Sequence, residues 1–459
     1  MNSKLVSLFC CLIMLVSFSG CTKVTQLVKD NQPTKAELLA EINEEHQRWE
    51  AAPAADPTPY LRHYDDPADA QKYFDYITDT YSEYDAEKEL TVEEAEEDVN
   101  YLFDAFYDYF GGHTVFDQTK AEILQELQAK DNLTCKDLQE VLVKHLTFIK
   151  DGHFNINHNF PAEKEIPFFF RQVMFVKTDS GYQNSKGKTV VSVDGHPDLD
   201  TLFKRSISQE GYLVYYPVLL KEAKFDGTEW DKHVCDEQLT VHYADGSTDV
   251  LTADTWSQYY KDLPKDQNTD LRQTDGIPVF QFNSFDGSFL QEVNAAAAQM
   301  SDAAISMLDL RSNVGGYEEV AHQWITRYSR QRVQGNGVRY DVVNPVSVAI
   351  AHRWQTHDNI LILLSGKCSA SSAEITMDLA YNLENSLIIG ENTNGCMIGN
   401  GGHVELPNSK CSVIMTSVCV YLLPEGADYF EEMRGLSPDI WVPAKEAETL
   451  AAKLMENLK

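Results

Sequence analysis

The sequence predicts a layered α/β domain in its C-terminal part, preceded by a mainly β middle region and an N-terminal helical domain. Three observations predict it. From Ile277 onward, apolar runs of strand length alternate with segments of helix length, the pattern of a layered α/β sheet. Between 151 and about 260, period-two alternation and turn dipeptides read as strands and hairpins. Between about 60 and 150, apolar residues recur at helical spacing. A chain of 459 residues, 43% of them hydrophobic, is long enough for two or three such cores.

The chain begins MNSKLVSLFCCLIMLVSFSGC. Lys4 supplies a positive start, Leu5 to Phe18 an apolar run, and Ser19-Gly20 a small-residue junction before Cys21. This reads as a secretory signal, too short and wrongly flanked for a spanning helix. Ending on Ser-Gly-Cys, residues 1–21 resemble a bacterial lipoprotein signal peptide, which implies lipidation at Cys21 and a lipid-anchored protein of the bacterial cell envelope. The following TKVTQLVKD has no acidic run, which leans to the periplasm-facing side. A plain cleaved signal with a chance cysteine is the alternative. No later segment reads as a membrane span.

Residues 22–60 are polar with scattered prolines and read as a tether leading into a short helix. In 61–150, LTVEEAEEDVNYLFDAFYDYF is a helix: Thr91 and Glu94 form a capping box, and Val92, Val99, Leu102, Phe103, Phe106 and Phe110 share a face. TKAEILQELQAKD and TCKDLQEVLVKHLTFI are two more helices. In 151–265, HFNINHNF alternates as a strand, KTVVSVDGHPDLDTLFKR reads strand, turn, helix, and Asp245-Gly246 closes a hairpin. In 277–447, IPVFQFNSF, AISMLDL, NILILLS, SLIIGE and CSVIMTSVCVYL read as strands, with helices between several of them. Residues 448–459 form a final helix.

Composition excludes some functions. A net charge of −33 argues against nucleic acid, whose phosphates need basic patches. After Cys10, Cys11 and Cys21 come Cys135, Cys235, Cys368, Cys396, Cys411 and Cys419, with no disulfide framework and no metal spacing. Most are expected to be buried free thiols. No metal or organic cofactor is indicated, and nothing marks an oligomeric state.

Three stretches carry candidate chemistry. In LILLSGKCSASSAEI a buried strand meets a helix starting near Ser371 or Ser372. A serine at that point has free N–H groups and the positive dipole end beside it, which suits a nucleophile with an oxyanion hole. Ser371 with Glu374 also fits an ordinary capping box, and taken alone that simpler reading is stronger. In LDLRSNVGGY a strand ends at Asp309 and Arg311 before Gly315-Gly316, whose backbone could approach a substrate or merely turn. In FIKDGHFNI, His153 follows Asp151-Gly152; a histidine in a turn is usually just solvated.

Taken together, DLRSNVGG, SASSAEI, GENTNG and RGLSPDIWVP, in that order, are similar to the motifs of the tail-specific or C-terminal processing peptidases, the S41 serine peptidases. The resemblance covers 277–445 and extends through the DGH element to about residue 90. It implies a crotonase-like α/β core, Ser371 as nucleophile three residues before Glu374, and an oxyanion hole from the Ser372 N–H with Gly315 or Gly316. One position departs from the Ser-Lys branch: after GENTNG the family lysine is replaced by Cys396, and a thiol does not substitute for an amine as general base. The lysine-free tricorn-like or retinoid-binding-protein-like branch has instead a DGH histidine and a glutamate before GxxPD. These correspond to His153 as general base and Glu432 as orienting acid.

Rivals are Lys367, dismissed as an exposed lysine near its ordinary pKa of about 10.4; His403 as an alternative base; and Glu431 beside Glu432. Cys368 and Cys396 read as structural, and Asn400 falls where Ser-Lys members often carry a glutamine. Only TVVSVDGHPDLDTL is similar to part of a PDZ domain, so the middle region is at most a degenerate PDZ. The resemblance implies a serine endopeptidase acting on unfolded or extended peptides. The alternatives are an inactive peptide-binding lipoprotein of the same fold, or an acyl hydrolase for non-peptide substrates.

Overall fold

A computed structural model of the chain describes residues 25–50, 52–53, 55–58, 75–78, 81–110, 114–224, 232–259, 268–341 and 353–458. The signal-like segment and Cys21 lie outside them. The largest sheet runs in the order β4 (Thr269–Thr274), β5 (Ile277–Phe282), β6 (Ile305–Asp309), β8 (Ile360–Ser365), β9 (Ser386–Gly390), β12 (Ile440–Trp441). From β5 to β12 all neighbours are parallel, and β4 is an antiparallel edge. Every residue of β8 and β9 is buried, as a parallel sheet covered on both faces requires.

Successive side chains of a strand point to opposite faces, and here each face has its own core. Phe280, Phe282, Leu308, Leu361, Leu363 and Ile388 pack against α5 (Leu290–Met300), α6 (Glu318–Ser329) and α7 (Ser372–Ala380). Val279, Met307, Ile362, Leu364, Leu387 and Ile389 pack on the other side against α8 (Ala447–Asn457) and α1 (Lys35–Gln47). The expected α/β layering of 277–447 is thus a three-layer helix–sheet–helix arrangement.

Helix α1 corrects the reading of 22–60 as a tether. Thr34 and Glu37 form a capping box, Leu38 and Ile42 are fully buried in the second face, and His46 Nε2 meets Asp439 Oδ1 at 2.8 Å. Glu41 and Glu45 also pair with Arg205. The hydrophobic phase of Leu38 and Ile42, four residues apart, anchors this segment to the sheet.

The helices of the N-terminal region are α2 (Val92–Phe110), α3 (Thr114–Gln128) and α4 (Cys135–His145), with the Thr91–Glu94 capping box in place. They are not an independent 61–150 unit. Their core continues into Val404, Leu406, Val413, Met415 and Val420 of an antiparallel sheet, β1 (Asn155–Ile156), β11 (Ser412–Leu422), β7 (Val338–Asp341), with β10 (Gly399–Glu405) also on β11. Phe106 meets Phe154 edge-on, 5.9 Å between rings, and so ties α2 to the DGH segment. The strand expected over 153–160 is only two residues long, because Asn157 and His158 take positive φ and turn the chain.

In the middle region β2 (Lys164–Phe169) pairs antiparallel with β3 (Leu213–Ala223). The hairpin at Gly246, φ 80°, is as expected. Between 151 and 259 the helix among the described residues is the single turn Leu199–Leu202. Five of the six later cysteines are buried, Cys235 is partly so, and all six are free thiols.

Candidate active site

The carboxyl ends of β6, β8 and β9 lie side by side, and each feeds one loop of the site. β8 ends at Ser365, and the turn that follows is pinned to the β6 exit by Ser369 Oγ donating to Leu310 O (2.8 Å) and Ala370 N to Asn313 O (2.9 Å). Ser371 then has φ 53° and ψ −116°, whereas an ordinary N-cap serine has extended backbone. Such a conformation costs on the order of 1–3 kcal/mol and is held by its surroundings. It is the geometry of a strand–turn–helix elbow that presents a serine at a helix N-terminus.

Glu374, one turn into α7 and fully buried, supplies much of that hold. Its Oε2 accepts from Ser371 N and Cys396 N, both at 3.0 Å, and its Oε1 from Gly395 N (2.7 Å) and Thr393 Oγ1 (2.5 Å). One carboxylate therefore locks the serine turn to the GENTNG loop. The capping-box reading of Ser371 and Glu374 and the functional reading are thus compatible.

The Gly-Gly turn lies against the serine. A Cβ on Gly315 would come within 2.8 Å of Ser371 Cβ and Ala370 O, and one on Gly316 within 2.6 Å of Phe285 O. Both glycines have positive φ, 94° and 132°. The Gly315 N–H is taken by Asn313 Oδ1 at 2.8 Å, whereas the Gly316 and Ser372 N–H groups have no acceptor among the described residues. Ser372 Oγ donates to Gly316 O (2.7 Å) and fastens the two donors together. Of the two glycines expected at the oxyanion hole, the geometry favours Gly316. Arg311 and Asp309 do not face this site. Asp309 is held by Arg311 and Arg272 in a buried ion network with Glu448 beneath the turn.

His153 arrives from 218 residues away in sequence, and its Nε2 lies 3.3 Å from Ser371 Oγ. Its side chain is 13% exposed, with Asp151 Oδ1 3.9 Å from Nδ1. Nδ1 has no hydrogen-bond partner among the described residues. Burial lowers the imidazole pKa from 6.5, Asp151 and Glu374 oppose this, and Lys164 adds to it. The glycine of DGH has a packing reason: a Cβ at Gly152 would lie 2.1 Å from Gly395 O and 2.4 Å from Cys396 Cβ.

Glu432 differs from expectation. Its Oε1 accepts from Gly152 N at 2.8 Å and its Oε2 from Ile398 N at 3.4 Å, and no contact joins it to the imidazole. Burial, with Asp151 nearby, pushes its pKa up to about 8. It holds the DGH backbone, and the carboxylate beside the ring is Asp151. Asp151 is itself fixed by Thr416 N (2.7 Å), Thr416 Oγ1 (3.0 Å) and His153 N (2.9 Å).

The rivals fall elsewhere. Lys367 is not exposed but 1% accessible; its Nζ donates to Thr393 O (2.7 Å) and Arg434 O (2.9 Å), and burial lowers its pKa to about 7. It braces the loops behind the serine. His403 sits on β10, stacked on Tyr81, with Nδ1 3.1 Å from Thr78 O. Glu431 is exposed and pairs with Arg434. Burial raises the Cys396 thiol pKa well above its ordinary value and that of Cys368 to about 11, so neither is a ready nucleophile. The Asn400 side chain lies outside the described residues.

Ser371, His153 and Gly316 line a cavity of about 830 Å³ whose apolar wall includes Phe160, Phe285 and Ile414, with the exposed Val314 and Tyr317 at its rim. A larger groove of about 1230 Å³ between α5 and α6 contains none of these residues. Among the described residues no group of three His, Cys, Asp or Glu could hold a metal ion, and no helix is long and apolar enough to cross a membrane.

Lys164 was not singled out from the sequence. It is 1% exposed, and its Nζ meets Gly152 O at 3.3 Å and Asn394 Oδ1. The signal was present in EKEIPFFF, where Lys164 is in phase with the buried Ile166 and Phe168 rather than with the partly exposed Glu165.

Residues 276–442 match the model of peptidase family S41. No curated protein sequence matches the chain. Among solved structures, mature CPAF complexed with lactacystin is similar at 12% identity over 80% of this chain and 97% of that one, TM-score 0.40. The photosystem II D1 C-terminal processing protease is similar at 14% identity over 80% and 97%, TM-score 0.38. The tricorn protease is similar at 13% identity over 80% of this chain and 37% of its own, TM-score 0.35.

Proposed function

We propose that this chain, whose residues 276–442 match the model of peptidase family S41, is a serine endopeptidase for unfolded or extended polypeptides, with Ser371 as nucleophile and His153 as general base. The observation that carries this reading is the 3.3 Å approach of His153 Nε2 to Ser371 Oγ at the N-terminus of α7. A base within reach of a serine in a strained elbow, beside two N–H groups with no acceptor among the described residues, is the arrangement acyl transfer needs.

Ser371 Oγ attacks the peptide carbonyl carbon as its proton passes to His153 Nε2. The carbonyl oxygen becomes the oxyanion and takes the Gly316 and Ser372 N–H groups. The imidazolium, stabilised by Asp151, returns the proton to the leaving amine as the C–N bond breaks. Water then repeats the sequence on the acyl-enzyme, giving the new carboxyl end and free Ser371. Glu432 acts one step removed, by setting the position of Gly152 and hence of His153. The apolar wall of Phe160, Phe285 and Ile414 suits an extended segment with a hydrophobic side chain. The Ser-Gly-Cys junction supports attachment of the enzyme to the bacterial cell envelope by a lipid on Cys21, periplasm-facing. Fatty-acid labelling that persists in Cys21→Ser would refute that placement.

The reading is tested with an alkyl fluorophosphonate probe. It should label wild-type protein at Ser371, identified by peptide mass spectrometry. Labelling should vanish in Ser371→Ala and slow by on the order of 100-fold or more in His153→Ala. Adduct on another residue, or equal labelling of all three proteins, would contradict the assignment.

A further inference from the structure

The position where Ser-Lys peptidases carry their lysine holds Cys396 here, yet an ammonium group is present at the site, brought by a different segment. Strand β2 points Lys164 inward, and only 1% of the residue is exposed. Its Nζ is shared between Gly152 O, 3.3 Å away, and Asn394 Oδ1. It also lies 5.4 Å from the Phe160 ring centroid. Gly152 directly precedes His153. Asn394 belongs to the loop pinned by Glu374, and its own Nδ2 donates to Lys367 O (3.0 Å) in the serine turn.

We propose that Lys164 is a positioning residue for this active site: its ammonium clamps the DGH loop to the 390–395 loop and thereby sets both the placement and the charge state of His153. The proposal rests on the Ser371–His153 reading and deepens it. A buried ammonium persists only where acceptors and anions surround it. Two of its acceptors lie in the loops whose separation fixes the base–nucleophile distance.

The electrostatic part follows from the groups facing His153. Asp151 comes from its own loop, Glu374 and Ser371 from α7 and its cap, and Lys164 from β2. Glu432 acts on the preceding residue. Asp151 and Glu374 favour the imidazolium, and Lys164 opposes them. Without that cation the ring takes up its proton at higher pH and ceases to be a base sooner as pH falls.

The test compares wild type, Lys164→Met and Lys164→Arg in cleavage of an unfolded protein across pH, with folding checked by circular dichroism. For Lys164→Met we expect kcat to fall on the order of 10–100-fold with KM within about threefold, the scale of a slightly misplaced catalytic group. The acid limb of kcat/KM should move to higher pH. Lys164→Arg should keep the limb near its wild-type position while kcat remains reduced, since a guanidinium retains the charge but not the ammonium geometry. If Lys164→Met does not fold, Lys164→Gln, which keeps a donor and loses the charge, is read in the same way. An unmoved limb in a folded neutral variant overturns the proposal, as does failure of both neutral variants to fold, which would make Lys164 a scaffold residue. Wild type that does not cleave, or Ser371→Ala that cleaves equally, would instead overturn the underlying peptidase reading.

Discussion

Replacing Gly152 by alanine adds one methyl group at the point where His153 is set against Ser371. The new Cβ would lie 2.1 Å from Gly395 O, 2.4 Å from Cys396 Cβ and 2.6 Å from Cys396 Cα. Ordinary contact begins at 3.4 Å, so the loops must part by about 1 Å or more. The 395–396 side is held by Glu374, and the 152 side by Glu432 and Lys164, so no flexible side-chain tip can absorb the displacement. His153 starts 3.3 Å from Ser371 Oγ, and such a shift takes it beyond proton-transfer reach. A misplacement of about 1 Å costs on the order of 100-fold in rate, whereas overpacking of this kind costs about 1–3 kcal/mol of stability. The assay is kcat/KM on an unfolded protein substrate, with thermal unfolding of the same preparations. Gly152→Ala should remain folded and lose roughly 100-fold in kcat/KM. A folded variant within threefold of wild type would refute the claim that close approach of these loops positions the base.

Glu432 and Asp151 should separate on conservative substitution. Glu432→Gln keeps an acceptor for Gly152 N–H and should cost less than about tenfold, while Asp151→Asn removes the charge beside Nδ1 and should cost about 100-fold or more in kcat; the reverse order would make Glu432 the orienting acid after all. Because burial lowers the His153 pKa from 6.5, the ring stays neutral to lower pH than free histidine. The acid limb of kcat/KM should therefore lie below 6.5, and a limb at or above that value would contradict the described environment. Glu374→Gln leaves two backbone or hydroxyl donors facing an amide nitrogen and should cost about 2–4 kcal/mol in denaturant unfolding, the neutral side chain being cheaper to bury. A loss below about 1 kcal/mol would mean that the carboxylate does not hold the two loops.

Much of this arrangement was legible because it rests on local signals. The apolar runs NILILLS and SLIIGE read as strands and are fully buried in the sheet, whereas the Ser371, Gly315-Gly316 and His153 stretches were weak signals singly and were joined by their resemblance, in order, to the peptidase motifs. Other features depended on partners far along the chain. Leu38 and Ile42 gave α1 an apolar stripe, but the sheet face it covers comes from residues 277–442, so a proline-spotted neighbourhood read as a tether. The Asp275-Gly276 pair, both at positive φ, marks the hairpin between β4 and β5, and the edge strand β4 was missed because its apolar content is low. Lys367 was read as exposed because it sits in a turn; the covering loops from 393 and 434 bury it. Glu432 was assigned through its resemblance to the glutamate before GxxPD in the lysine-free branch, and a motif does not reveal that its carboxyl accepts from Gly152 N–H.

Ser371 and His153 are expected to work as one catalytic unit. The most direct measurement is cleavage of an unfolded protein by wild type, Ser371→Ala, His153→Ala and the double variant, all prepared identically. Wild type should cut, each single variant should lose on the order of 1000-fold or more, and the double variant should be no worse than either, as residues acting as a unit behave. Cleavage by Ser371→Ala at the wild-type rate would contradict it.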